Sequence, residues 1–409
     1  MSVLHEPPRT DTESRAATRA GGDCPTRDDG YVRGLLKRLI DERAGDLILV
    51  ADAPPTIHVN GKWKALDLPA VPAMELDAHL KALLTPHQIE RLDEAKDLDF
   101  AIELAGAGRC RANIHYQRGT LAAAFRSIPG EVPTFESLNL PEQVLSFAGY
   151  PNGLVLVTGG TGQGKSTTLA TLIDHINHTR AAHVITIEDP VEFAFTNDQC
   201  LIEQREIGSD SPTFGSALRH VLRQRPDVIV IGELRDLETI STALTAAETG
   251  HLVFGSLHTS STSQTLARLI DVFPPMQQGQ IRVQLAASLR AIVCQTLLRD
   301  EMNETLIPAT EILVATTGIR RALRENETHL INSMIETGRS LGMHTLEQNL
   351  AELVQSGRID KESALAATTD RARLSRLIGD CADTEELRAG LRAANRKASE
   401  SIPWAEQAD

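Results

Sequence analysis

Apolar residues fall in two rhythms along this chain, and the change between them divides it. From Tyr31 the pattern is helical, with Val32, Leu35, Leu36 and Leu39–Ile40 on one face, and Asp46–Val50 then reads as a short strand. Thr56–Val59 and Lys62–Leu66 read as strands joined by Asn60-Gly61, a pair that tight hairpin turns favour. Helical spacing returns at Glu75–Leu84, and Thr85-Pro86 opens a second helix over His87–Glu94. Asp99–Leu104, Arg109–Tyr116 and Leu121–Ile128 predict antiparallel strands joined by glycine turns. The first region is thus a small α+β domain.

The second rhythm follows the prolines of Pro129–Pro133, which discourage regular structure. Short apolar runs at Leu154–Val157, Val184–Glu188, Val228–Ile231 and Leu252–Leu257 alternate with helical stretches such as Thr213–Arg223 and Leu237–Glu248. Such alternation predicts an α/β fold, a parallel sheet with helices on both faces. From Ser261 onward the pattern reads as mostly helical, apart from an apolar stretch at Thr310–Val314. The expected divisions are a disordered polar tail (1–30), the α+β domain (31–128), a linker (129–134), the α/β domain with C-terminal helices (135–368) and a helical or disordered appendage (369–409). No internal repeat is visible.

Within the second rhythm, Leu154–Leu172 reads LVLVTGGTGQGKSTTLATL, an apolar strand, a glycine loop and a helix. Gly159–Ser166 matches G-x-x-x-x-G-K-[ST], a loop whose backbone N–H groups surround a polyphosphate while the following helix presents its positive end. Gly159, Gly160, Thr161, Gly162, Gln163, Gly164, Lys165, Ser166 and Thr167 are therefore the candidate nucleotide-binding residues. Lys165 would meet the β- and γ-phosphates, and Ser166 would ligate Mg²⁺. The cofactors expected are ATP and Mg²⁺.

Two acidic clusters lie at the ends of apolar runs, the edge where open α/β sheets bind ligands. One is Ile187-Glu188-Asp189-Pro190-Val191-Glu192, and the other is Val228–Ile231 followed by Gly232-Glu233. Gly232 stands where the common pattern has an Mg²⁺-linked Asp, which leaves Glu233 to polarise the attacking water or to hold the Mg²⁺ shell, the latter through water. His251 and His258 bracket the next apolar run and are candidates for contact with phosphate or Glu233.

Composition narrows the partners. In 409 residues the net charge is −14 and aromatic residues make up 3%, the opposite of the basic, ring-rich footprint of a general nucleic-acid binder. Cys24, Cys110, Cys200, Cys294 and Cys381 show no C-x-x-C spacing, so neither a zinc site nor a disulfide framework is indicated. No apolar run approaches the roughly 18 to 20 residues of a membrane span, and the N-terminus lacks a signal-peptide core. A cytoplasmic protein without direct nucleic-acid contact is expected.

These motifs carry a family resemblance. GLVLVTGGTGQGKSTTLATLID, ITIEDPVEF, RQRPDVIVIGELRDLETISTALTAAETGHLVFGSLHTSS and IDVFPP resemble, in that order, the Walker A, Asp box, Walker B and His box of the secretion-ATPase superfamily of type IV pili and type II and IV secretion. Weaker likeness extends through Gly45-Asp46-Leu47 and PPTIHVNG, and through GIRRALRE (Gly318–Glu325) and GMHTLEQNL (Gly342–Leu350), with the whole most similar to the pilus-retraction branch. The resemblance implies a PAS-like first domain, a RecA-like P-loop ATPase domain and a homohexameric ring. Its further implications are an inner-membrane pilus platform protein and cytoplasmic pilus machinery as partners, and a place at the inner membrane held only through them. It assigns catalytic roles to Glu192, Glu233, His251 and His258, and makes Arg111 and Arg126 arginine fingers for a neighbouring subunit's nucleotide. The implied activity is ATP hydrolysis driving pilus retraction and twitching motility. The alternatives are an ATPase powering secretion or assembly and a hexameric nucleic-acid translocase. Two departures stand in the loop, Gly160 for the usual proline and Gln163 for the usual serine; Ile48 replaces an early histidine. The four-cysteine zinc site of extension ATPases is missing. In GIRRALRE, Ile319, Ala322 and Leu323 form one apolar stripe while Arg320, Arg321 and Arg324 face elsewhere.

Overall fold

A computed structural model describes residues 30–42, 44–59, 62–104, 108–128, 132–303 and 305–379. All of the expected disordered tail but Gly30, the Asn60-Gly61 turn, residues 129–131 of the expected linker, Cys24, Cys381 and most of the C-terminal appendage lie outside the described residues. The chain divides into two compact units, one of described residues up to Asp99 with Ala112–Arg126, the other of Phe100–Arg111 with the described residues from Ser127 on.

The first unit opens with α1 (Gly30–Asp41), which buries Val32, Leu35, Leu36 and Leu39, the face that the spacing predicted. The strands β1 (Asp46–Val50), β2 (Thr56–Val59) and β3 (Lys62–Ala65) follow, then α2 (Ala73–Ala82) and α3 (Pro86–Ala95). Thr85 caps α3 reciprocally, accepting from the Gln88 N–H while Gln88 accepts from its own, with Pro86 at the first helical position. β4 (Asp97–Leu104), β5 (Gly108–Gln117) and β6 (Thr120–Ile128), whose residues 100–104, 108–111 and 127–128 count with the other unit, complete a six-stranded sheet in the order β3-β2-β1-β6-β5-β4. β1 runs antiparallel to both β2 and β6. Its burial alternates, with Leu47 and Leu49 on the buried face and Asp46, Ile48 and Val50 half-buried on the other.

The second unit begins with α4 (Glu142–Ser146) and β7 (Gly153–Thr158), and continues through α5 (Lys165–Thr179), β8 (His183–Glu188), β9 (Leu201–Glu206), α6 (Phe214–Val221), β10 (Val228–Ile231), α7 (Leu237–Glu248) and β11 (Leu252–Leu257). After α8 (Thr262–Asp271) and α9 (Pro275–Ser288) the expectation of a mostly helical region fails, because β12 (Leu289–Asp300) and β13 (Thr305–Val314) form a long antiparallel hairpin. The strand order is β13-β12-β7-β11-β10-β8-β9. All neighbours are parallel except β12 and β13. One apolar cluster packs α5 and α4 on one face, and a larger one packs α6, α7, α8 and α9 on the other. The predicted coverage of both faces therefore holds.

The chain closes with α10 (Thr317–Arg324), α11 (Ile331–Thr337), α12 (Leu346–Gln355), α13 (Lys361–Ala367) and α14 (Arg371–Ile378), the last falling within the expected appendage. Ile319, Ala322 and Leu323 of α10 are buried as the stripe required. Arg320 does not face away with its neighbours. It donates to the carbonyls of Ala315 (3.0 Å), Ala286 (3.3 Å), Ala287 (2.9 Å) and Leu289 (3.0 Å), so it caps the C-terminal end of α9, where carbonyls lack intrahelical partners. Among the described residues no helix is long and apolar enough to cross a membrane.

Candidate active site

The parallel register brings the ends of β7, β8, β10 and β11 to one edge, with Leu156, Ile187, Ile231 and Gly255 side by side. Each strand then delivers its next residues there: the glycine loop after Thr158, Glu188 and its loop, Gly232-Glu233, and His258. They enclose a cleft of about 230 Å³ lined by Thr161, Gly162, Lys165, Ser166, Glu188, Asp189, Glu192, Glu233, Arg235 and His258 among others. An open parallel sheet is expected to bind its ligand at this edge.

The loop is held open by its neighbours. Gly159 has φ 148°, and a Cβ there would collide with the Gln295 carbonyl, so β12 passes too close for any side chain. At the start of α5 the Lys165 Nζ donates to the carbonyls of Gly159 (3.0 Å) and Gly160 (2.8 Å) and lies 3.3 Å from His258 Nδ1. Burial lowers the Lys165 pKa, and the nearby charges of Glu233 and Glu192 oppose that shift. The ammonium is thus parked on loop carbonyls beside the place where phosphate oxygens would stand.

Glu233 sits at the centre of the cleft's charge. Its Oε1 is 2.6 Å from Arg235 Nε, and its Oε2 is 3.3 Å from His258 Nε2. Burial would raise its pKa, but the Arg235 hydrogen bond and the charges of His258 and Arg235 outweigh it and hold the carboxyl below its usual range. Glu188 is pushed the other way. Burial raises it, opposed by hydrogen bonds from Thr186 (2.5 Å), Gln204 (3.2 Å) and the Glu192 backbone (3.4 Å). Two carboxyl groups in one cleft are therefore pushed in opposite directions by their surroundings. The departure at Gly232 has a steric reason: a Cβ there would lie 3.2 Å from the Ile187 carbonyl and 3.3 Å from Glu188 Cα.

The predicted residues do not all meet. Thr161, Gly162, Lys165, Ser166, Glu192, Glu233 and His258 line the cleft. Gly164 and Thr167 instead line a neighbouring slot of about 150 Å³ with Leu138, Leu140, Leu297, Leu306 and Pro308. His251 is a correction. It precedes β11, whose first residue Leu252 pairs with Gly153, so it lies at the opposite edge of the sheet, a strand length of about 20 Å from His258. There its Nδ1 is 2.9 Å from the Ala246 carbonyl. Arg111 and Arg126 are not among the residues lining the cleft. Arg126 instead pairs within its own unit, Nε to Asp46 at 2.8 Å, with His58 3.8 Å from the same carboxylate.

Sequence reasoning missed Arg235, Glu188 as a buried acid, and Gln295. Arg235 follows Glu233 by two positions, a spacing that puts both on one side of an extended segment. Gln295 gave no signal, because its strand read as helix.

Comparison with known proteins places the chain in a family. Residues 136–384 match the profile of the family described as "Type II/IV secretion system protein". The chain is 43% identical over 321 residues to the type IV pilus retraction ATPase PilT of Pseudomonas aeruginosa, covering 78% of this chain and 93% of that one. It is 42% identical over 315 residues to a twitching motility protein of Neisseria gonorrhoeae, covering 77% and 84%. The crystal structure of the pilus retraction motor PilT with bound ADP superposes with a TM-score of 0.80 at 42% identity, covering 84% of this chain and 99% of that chain. A shared fold and these identities over most of the chain lead to one conclusion: it belongs to the Type II/IV secretion system protein family, as a PilT-like secretion ATPase.

Proposed function

We propose that this chain is a hexameric motor that couples ATP hydrolysis in the cleft to retraction of type IV pili. The observation that carries the reading is a complete phosphate loop facing an ionised Glu233, in a chain 43% identical to a pilus retraction ATPase. The phosphates occupy the cleft beside Lys165, and the base enters the apolar slot formed by Leu138, Leu140, Leu297, Leu306 and Pro308. Lys165 leaves the carbonyls of Gly159 and Gly160 for the β- and γ-phosphates, exchanging neutral acceptors for charged ones. Glu233, below the usual carboxylate range, accepts the proton of the attacking water. Glu192 borders the same water, and His258 holds Glu233 by one carboxylate oxygen.

The donors fit Mg²⁺, which takes one or two protein ligands and completes its shell with phosphate and water. Ser166 and the Glu233 carboxylate line the cleft, whereas no cluster of three or more His, Cys, Asp or Glu among the described residues forms a cage. Bound there, the ion would neutralise charge that develops on the phosphates.

In this reading residues 31–128 are a PAS-like domain and residues 135–368 a RecA-like domain. Arg111 and Arg126 reach a neighbouring subunit's nucleotide, where a guanidinium stays charged and grips two oxygens. The Arg126–Asp46 pair is no obstacle, since Arg126 is 70% exposed and such pairs contribute about 0 to 1 kcal/mol. The −14 charge suits a protein platform at the inner membrane better than nucleic acid. A strain lacking the gene is the test: it should carry excess surface pili and not twitch. Normal pili with a block in protein export would replace retraction by secretion.

A further inference from the structure

We propose that Gln163 and Gln295 form a strut that positions the phosphate loop for nucleotide, which rests on the cleft being the nucleotide site. Gln163 occupies the middle of the loop, yet its side chain turns from the cleft, and its Oε1 accepts from the Leu297 N–H of β12. Gln295, two residues earlier on the same strand and only 3% exposed, answers in the other direction. Its Nε2 donates to the Gln163 carbonyl at 2.6 Å, and its Oε1 accepts from Thr168 Oγ1 of α5 at 3.0 Å. Both side-chain amides are thus spent on fixing the distance between loop, strand and helix.

The tie lies where the loop has most freedom. Gly159, Gly160, Gly162 and Gly164 surround Gln163, so without a link the empty loop samples many shapes, few of which point its N–H groups inward. A site competent only part of the time binds more weakly in proportion to that fraction. Leu297, which the strut holds by its N–H, also lines the apolar slot with Leu306 and Pro308. One pair of amides therefore sets the spacing between the phosphate cradle and the slot. Gln163 lines neither the cleft nor the slot and so acts through the loop, whereas Gln295 and Thr168 also border the slot.

The test measures MgADP affinity by calorimetry and ATP turnover on the full-length chain. Gln163→Met keeps the length and removes the acceptor. It should raise KM for ATP and Kd for MgADP by about fivefold, the loss of one hydrogen bond, while kcat falls by no more than about twofold. Thr168 borders the slot itself, so Thr168→Val, which loosens the other arm, is also read with inorganic pyrophosphate, a probe that leaves the slot empty, and should raise both Kd values by about threefold. The double variant should fall short of the product of the two effects, because both arms fix the same loop. Parent KM and Kd in Gln163→Met overturns the strut, and so does a parallel fall in kcat and unfolding midpoint with KM unchanged. Lys165→Ala separates this failure from that of the site. If Lys165→Ala binds MgADP as the parent does, the cleft is not the nucleotide site and the strut falls with it.

Discussion

At the edge where β7 ends, four ionisable side chains touch in a row; at the edge where it begins, two arginines are held mostly by main-chain carbonyls. In the cleft Arg235, Glu233, His258 and Lys165 form a chain of contacts, each within 3.3 Å of the next. At the other edge Arg290 donates to Asn152 O (3.0 Å), Asn152 Oδ1 (2.6 Å) and Ala287 O (3.2 Å), while Arg320 donates to four carbonyls around the end of α9. The first set can exchange partners for phosphate and water at little cost. The second set holds acceptors around the end of α9, several of them half-buried, so removing Arg320 strips four carbonyls of a donor at once. Charge in the cleft is available for chemistry, and charge at the far edge is committed to structure.

The largest effect is expected at Lys165. Lys165→Ala should weaken MgADP binding by about a hundredfold, or ~2.7 kcal/mol, with the unfolding midpoint of the empty protein little changed. Loss of stability in place of affinity would put this lysine with the structural set. Arg320→Ala should do the reverse, lowering stability in urea by about 2 to 3 kcal/mol while nucleotide affinity stays near the parent's. Arg320→Lys should recover only part of this, since an ammonium cannot span the acceptors of a planar fork.

A buried histidine between α11 and α12 sharpens the same contrast with pH. His344 Nε2 lies 2.8 Å from Thr310 Oγ1, and burial, with Arg339 nearby, lowers its pKa to about 4. The folded state then keeps it neutral while the unfolded chain takes up a proton below about 6.5. Stability is full above that pH, falls as pH drops from about 6.5 toward 4, and loses nothing further below. Between pH 7.5 and 5 the loss from this group is about 2 kcal/mol, which His344→Gln should lack in paired urea titrations. The smallest effect is expected at Arg324, exposed on α10. Arg324→Ala should change stability by no more than about 0.5 kcal/mol and turnover by less than about twofold, while abolishing twitching. Full twitching in that variant would remove α10 from force transmission.

What could be read from the chain depended on how local the cause was. The phosphate loop and the α10 stripe were legible because a few adjacent residues carry each pattern. β12 was not, since Leu289, Ala291, Ile292, Val293 and Cys294 are buried on both faces and show no alternation to mark a strand. β9 was missed for the opposite reason, being a polar edge strand. His251 and His258 look equivalent from sequence, one at each end of an apolar run. Only the parallel register shows that one end meets the loop and the other does not. Arg320 needed the end of α9, more than thirty residues away, before its role was visible.

In the proposed mechanism the cleft is catalytic and Glu233 takes the proton from water. Glu233→Gln keeps the size of the side chain and a carbonyl for His258, and removes the base. In the full-length chain it should bind MgADP within about threefold of the parent and lose at least about a hundredfold in ATP turnover. Turnover at the parent rate with binding intact would contradict the account.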